Sequence, residues 1–346
     1  MGNTPSDHTS SDNTGTLDEA LERLHASGPE HGGWLSNHAP MAVEALVRHG
    51  QAPAVHHWLD GYRHKLEDMP ETSARVTADN WREALGDHRR VADWTEYFLR
   101  ETGERPWREV LAEWWPRLLP GIAAGATHPV IRVGHSVRTL LAGEETAPRV
   151  AELAHGLGYW AARHQPLPAL TPLAPARSAA AALDAVPPVP DQSGGIRDRL
   201  AQLGAFPVWP GEVTGDPDQA RARLTELVTA ATHRYATHGH GEPVMLVHAA
   251  TAPNAVLRTL PALPRTLWAP STAAAWAASA AVTAAYGPAE ATPYRPAGAS
   301  AEELFARAAA HGDDHTIKFT DTALDVGDET ALAAALRSIE LNPPVG

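Results

Sequence analysis

Cysteine is missing altogether from the 346 residues, and that single absence removes disulfide frameworks, thiolate metal sites, iron–sulfur clusters and cysteine nucleophiles. A metal, if the chain holds one, has to be bound through nitrogen or oxygen. Positive charge is scarce as well. The 28 Lys and Arg stand against 41 Asp and Glu, a net charge of −13, so a basic face for neutralising phosphates is not available and nucleic acid is not an expected partner. No apolar run spans a bilayer. The Ala-rich stretch from Ser271 to Tyr286 is broken by Ser and Thr and poor in large aliphatics, which reads as a tightly packed helix rather than a membrane segment.

Residues 1–16 are polar and lack the apolar core of a signal peptide, so they read as a disordered tail. Met1-Gly2-Asn3-Thr4-Pro5-Ser6 matches a myristoylation pattern in form, but nothing basic follows to supply a second membrane signal. The expected setting is cytoplasmic. Sustained strand alternation is also lacking, as are a Gly-x-Gly-x-x-Gly turn after a strand, a Walker loop and a Gly-x-Ser-x-Gly elbow. A dinucleotide or flavin domain of the usual kind is therefore not expected.

What is present is helical spacing almost throughout. Leu17, Leu21 and Leu24 share a face, and Val55–Leu66, Trp81–Leu85, Val91–Leu99, Trp107–Leu119, Leu153–Arg163 and Ala220–Tyr235 keep the same period. These stretches predict an all-α domain over residues 17–342, with halves 17–165 and 196–342 joined by a Pro/Ala-rich connection at 166–195. Trp94, Trp107, Trp114 and Trp115 belong to a structural core or to an aromatic pocket.

The 19 histidines carry the chemical interest, because imidazole is the main nitrogen ligand and the usual acid–base group near neutral pH. His38 falls at the mouth of a helix capped by Ser36 or Asn37 and opened by Pro40; it either bonds backbone there or points into the core. His128, Ile131 and His135 share a face of a helix that Thr127 can cap and Pro129 can begin, so either histidine can turn inward. His248 lies in an apolar run and is expected to be buried, as a satisfied core residue or as a ligand. His238-Gly239-His240 reads as an exposed loop. In His311-Gly312-Asp313-Asp314-His315-Thr316-Ile317-Lys318, His315 and Lys318 share a helix face and an Asp is placed to cap.

Several of these segments together resemble the questin oxidase-like family: Asn37–Leu46, His128–Arg132, Gly158–Arg163, His248–Arg258 and Asp314–Lys318, in order over roughly residues 20–325. The resemblance implies a mostly helical oxygenase that opens a ring of a polycyclic quinone or related aromatic polyketide with O2. It also implies a non-heme iron held by four histidines and a carboxylated lysine, which by position are His38, His128, His248, His315 and Lys318. His135 is the alternate to His128, and His311 the alternate to His315, with His311 expected to face water. Asp314 and Glu44 are candidate acceptors for the outer imidazole N–H groups, and Trp34 and Tyr159 are candidates to stack on the substrate. Four imidazoles with one hard oxygen donor suit Fe(II) or Mn(II).

Three other readings compete. One is an NADPH-dependent Baeyer–Villiger-type monooxygenase, which the same family resemblance admits. Another is a non-catalytic helical ligand-binding scaffold, in which buried histidines satisfy one another. A lysine-carbamate metallohydrolase stands further off, since those enzymes usually occupy barrels with strands that this chain does not have.

Overall fold

In the computed structural model, residues 8–210, 215–296 and 298–345 are described. The first half runs α1 (His8–His25), a hairpin of β1 (Glu30–His31) and β2 (Leu35–Ser36), α2 (Ala39–Arg48), α3 (Val55–Tyr62), α4 (Trp81–Ala84), α5 (Val91–Glu104), α6 (Trp107–Leu118), α7 (His128–Ala142) and α8 (Ala147–Arg163). A strap follows, containing β3 (Thr171–Pro175), α9 (Ala179–Asp184), α10 (Ile196–Leu200) and β4 (Ala205–Val208), with β3 and β4 paired in parallel. The second half is α11 (Pro217–His238), α12 (Pro243–Leu246), α13 (His248–Thr259), α14 (Trp268–Tyr286), α15 (Ala301–His311), α16 (Asp314–Val326) and α17 (Glu329–Leu341).

The all-α reading holds, with strands confined to two small sheets. No helix among the described residues is long and apolar enough to cross a membrane. Helix α1 starts earlier than its leucines suggest, so residues 8–16, read as tail, are helical. Once Leu17, Leu21 and Leu24 are buried, extending an existing helix costs far less than nucleating one. Residues 1–7 lie outside the described residues.

Trp94, Trp107, Trp114 and Trp115 are core residues, fully or almost fully buried. Trp94 and Trp114 meet edge to face at 5.3 Å, a favourable quadrupolar arrangement. The arrangement that positions the site is a ring of four helices in which α2 touches α7, α7 touches α13, α13 touches α16 and α16 touches α2. Contacts at matching distances from each helix start fix their direction. Gly134 of α7 meets Ala255 of α13, and Asn254 of α13 donates to Thr322 and Asp325 of α16. The four helices therefore run side by side, with their N-termini at one end of the ring.

About 9–15 Å along, at 1.5 Å per residue, the same helices are tied by buried charge. Asp321 is fully buried and accepts from Arg48, His49, Arg138 and Arg258, so every neighbour of α16 in the ring contributes a donor.

Candidate metal centre

The N-terminal end of the ring brings four imidazoles together. His38 immediately precedes α2, where Asn37 Oδ1 accepts the Ala39 N–H and Pro40 occupies the first turn. His128 and His248 are the first residues of α7 and α13, and His315 is the second of α16, whose start is capped by Asp313 accepting the Thr316 N–H at 2.8 Å. Ring centroids of His38 lie 4.5 Å from His128 and 4.4 Å from His315. His128 and His248 centroids are 4.4 Å apart, and one ligand nitrogen from each of His38, His128 and His315 fits within 4.8 Å.

Hydrogen bonds determine which nitrogen each ring turns inward. His128 Nδ1 lies 2.6 Å from the Gly125 carbonyl and His248 Nδ1 3.0 Å from the Met245 carbonyl. Carbonyl oxygens only accept, so both Nδ1 atoms carry hydrogen. The Nε2 lone pairs of these two rings then face each other at 2.8 Å, which is repulsive without a cation between them. His38 Nδ1 (2.5 Å) and His315 Nδ1 (2.9 Å) both meet Asp314 Oδ1, leaving His38 Nε2 buried and, among the described residues, with no partner. Lys318 Nζ is likewise buried and unpartnered among the described residues. Two nitrogens held about 2.1 Å from one ion at right angles stand about 3 Å apart, so the His128–His248 spacing suits a shared cation.

The electrostatics keep three of the four rings neutral and ready to bind. Burial pushes the His38 pKa down to about 3, and burial with neighbouring imidazoles and Lys318 holds His128 and His248 well below the ordinary value. Burial opposes charge on His315 too, but the carboxylates of Asp314 and Asp313 outweigh it and raise its pKa. Burial lowers Lys318 to about 8 against the pull of Asp314 and Asp313. Burial works against the Asp314 carboxylate, yet His38 and His315 hold it well below the usual range, and Lys65 Nζ stands 3.1 Å away. The four converging helix N-termini add partial positive charge, which disfavours imidazolium and favours anionic ligands.

Residues 35–194 match the family model described as Questin oxidase-like. No curated protein matches the chain. The questin oxidase-like stretch holds His38 and His128, while His248, His315 and Lys318 come from beyond it and complete the same ring. That match spans 160 of the 346 residues (35 to 194), and the description of the family names an oxidase.

The remaining candidates lie elsewhere. His135 Nδ1 is 2.6 Å from Glu44 Oε2, and Glu44 also takes Arg138, so these two belong to the charge network and not to the four-histidine cluster. The register explains it: two turns along α7 from His128, a side chain on the same face reaches the next layer of the ring. Asp314 does accept from two rings. His311 does not face water; it is half-buried, with Nε2 3.1 Å from the Asn342 carbonyl, because α17 folds back over the end of α15. Thr127 makes no cap, since Ala126 and Thr127 both adopt left-handed backbone. Tyr159 is buried, its hydroxyl on Ser36 and Glu30, so it has no free face for stacking.

Sequence reasoning missed Tyr62, whose hydroxyl accepts the His38 backbone N–H at 2.8 Å. It also missed Lys65 and the two carbonyls that orient His128 and His248. Only the His-first helix starts hinted at the carbonyls.

Proposed function

We propose that the chain is a non-heme, metal-dependent oxygenase, with iron as the metal, that cleaves a ring of a polycyclic aromatic or quinone substrate with O2. The observation that carries the reading is the set of four imidazoles with Nδ1 on outer acceptors, with one ligand nitrogen from each of His38, His128 and His315 within 4.8 Å of the others and His128 and His248 facing lone pair to lone pair. His38, His128, His248 and His315 hold the metal. Lys318 supplies an oxygen once carboxylated: its neutral amine adds to the carbon of CO2, an N–C bond forms and one N–H proton leaves, giving a carbamate anion.

Bound there, iron(II) supplies dioxygen activation beside an electron-rich ring. The protein's own groups do the rest. Asp314 fixes two imidazoles at once, the Gly125 and Met245 carbonyls fix the other two, and Lys65 balances the Asp314 charge. A hydroxylated ring furnishes the electrons that O2 accepts when both oxygen atoms enter the product, so no nucleotide reductant is needed.

Elemental analysis of the purified protein tests this, together with the same measurement on His248→Ala and His315→Ala. About one metal per chain, lost in both variants while the far-UV circular dichroism is kept, is expected. Variants that retain the metal, or a metal-free protein that turns over, overturn it. Turnover that requires NADPH would favour the monooxygenase, and a protein with no metal to lose would favour the inert scaffold.

A further inference from the structure

The four imidazoles are held in two different ways. His128 and His248 each place Nδ1 on the carbonyl three residues back, Gly125 at 2.6 Å and Met245 at 3.0 Å, so the turn leading into each helix fixes its own ring. His38 and His315 depend instead on one shared oxygen, Asp314 Oδ1. Asp313 Oδ2, 3.9 Å from His315 Nδ1, is beyond hydrogen-bond range.

One face of α3 holds Asp314 and the backbone beside both rings. Trp58, Tyr62 and Lys65 stand at i, i+4 and i+7 along α3 and the helical turn Arg63–Lys65 that continues it, a spacing that puts them on one side. Each reaches the start of a ligand-bearing helix. Trp58 Nε1 donates to the Gly312 carbonyl at 2.8 Å, two residues before Asp314. The Tyr62 hydroxyl accepts the His38 N–H at 2.8 Å, and Lys65 Nζ donates to Asp314 Oδ2 at 3.1 Å. The three also pack on one another: the Trp58 and Tyr62 rings stack at 4.8 Å, and the Lys65 ammonium lies 5.0 Å from the centre of the Tyr62 ring, within cation–π range. A single short helix thus ties the start of α2 to the start of α16.

Asp314 is 2% exposed and Tyr62 5%, so bulk water does not replace a lost partner, and a stranded donor or acceptor keeps its desolvation cost. Without Lys65, the Asp314 carboxylate loses the donor that fixes its plane and can turn, taking both rings with it. We infer that Tyr62 and Lys65 are positioning residues, presented by an α3 that Trp58 anchors: α3 is a clamp that sets the His38–His315 half of the centre and leaves the His128–His248 half to its own carbonyls. The inference rests on the metal-centre reading for what the rings bind, but the division into halves belongs to the hydrogen bonds and holds in the metal-free chain.

Labelling of the metal-free full chain with diethyl pyrocarbonate, read histidine by histidine by peptide mass spectrometry, tests the division. In Tyr62→Phe and Lys65→Met, His38 and His315 should label about tenfold or more faster than in the unsubstituted protein, while His128 and His248 keep the unsubstituted rate. Lys65→Arg retains the charge and the reach and should restore slow labelling of His38 and His315. Titration with Co(II) supplies a second readout: affinity should fall about tenfold or more in the first two variants, with a changed visible spectrum, and recover in Lys65→Arg. Equal acceleration at all four histidines would show a loosened fold in place of a clamp and overturn the proposal, as would unsubstituted labelling in both variants. An unsubstituted protein that binds no Co(II) would sink the metal reading alone, and the labelling pattern would still decide the clamp.

Discussion

Asp314 Oδ1 receives an N–H from His38 and another from His315, and Oδ2 receives Lys65. A buried carboxylate so placed fixes two ring orientations and raises the basicity of the nitrogens that face inward. Asp314→Asn keeps the shape but removes the charge and puts an amide N–H where a second acceptor stood. Metal affinity measured by chelator competition should fall about 10–100-fold with the circular dichroism unchanged; unsubstituted affinity in this variant would detach Asp314 from the site. The legibility of the site divides along the same line. The set of His38, His128, His248, His315 and Lys318 comes from the family resemblance, whose short segments fall at helix starts; the residues by themselves leave His38 and His248 between ligand and satisfied core residue. Lys65 and the Met245 carbonyl were not legible, since one reaches Asp314 from 249 positions away and the other is backbone. His135 shares the face of His128, and only the depth of the ring decides which of them reaches its end.

Helices set the spacing of these side chains, and α7 crosses α13 at close range. A Cβ on Gly134 would lie 2.5 Å from Ala255 Cβ and 2.9 Å from its carbonyl oxygen, so a methyl group there must push backbone from backbone. Gly134→Ala should cost about 1–3 kcal/mol in urea unfolding and should loosen metal retention, because His128 and His248 ride on the two helices being separated. Gly61 in α3 is the control: it has open space within 4 Å and an ordinary φ, so Gly61→Ala should be neutral or stabilise by up to about 1 kcal/mol. Equal losses in the two variants would mean that the crossing is not what limits the approach. The helices themselves were largely visible in the apolar period, from α3 to α17. Their parallel packing was not, because it depends on pairs such as Gly134 with Ala255, which carry no mark of each other in the chain.

Across the whole molecule, folding takes several imidazoles out of water in neutral form, and this ties stability to pH. His155 on α8 shows it away from the metal centre. It stacks on His25 at 4.5 Å beside the buried Arg132–Glu152 pair, and burial, with Arg132 and His25 adding to it, lowers its pKa from 6.5 to about 3. Between those values the unfolded chain holds a proton that the folded chain does not, so stability is complete above pH 6.5 and is lost as pH falls toward 3. Glu152 acts in the same direction only lower, between its ordinary value of 4.5 and about 2. His315, raised by its carboxylates after burial is overcome, acts oppositely and favours the folded state at lower pH. The window from pH 6.5 to about 5 therefore belongs to the histidines. In it, each one held neutral contributes a slope of up to about 1.4 kcal/mol per pH unit. Urea unfolding at pH 7, 6 and 5 should show stability falling with pH, and His155→Gln should flatten the fall by up to one proton's worth. A variant that keeps the full slope would place the linkage on other groups and show that His155 is charged, or exposed, in the folded chain.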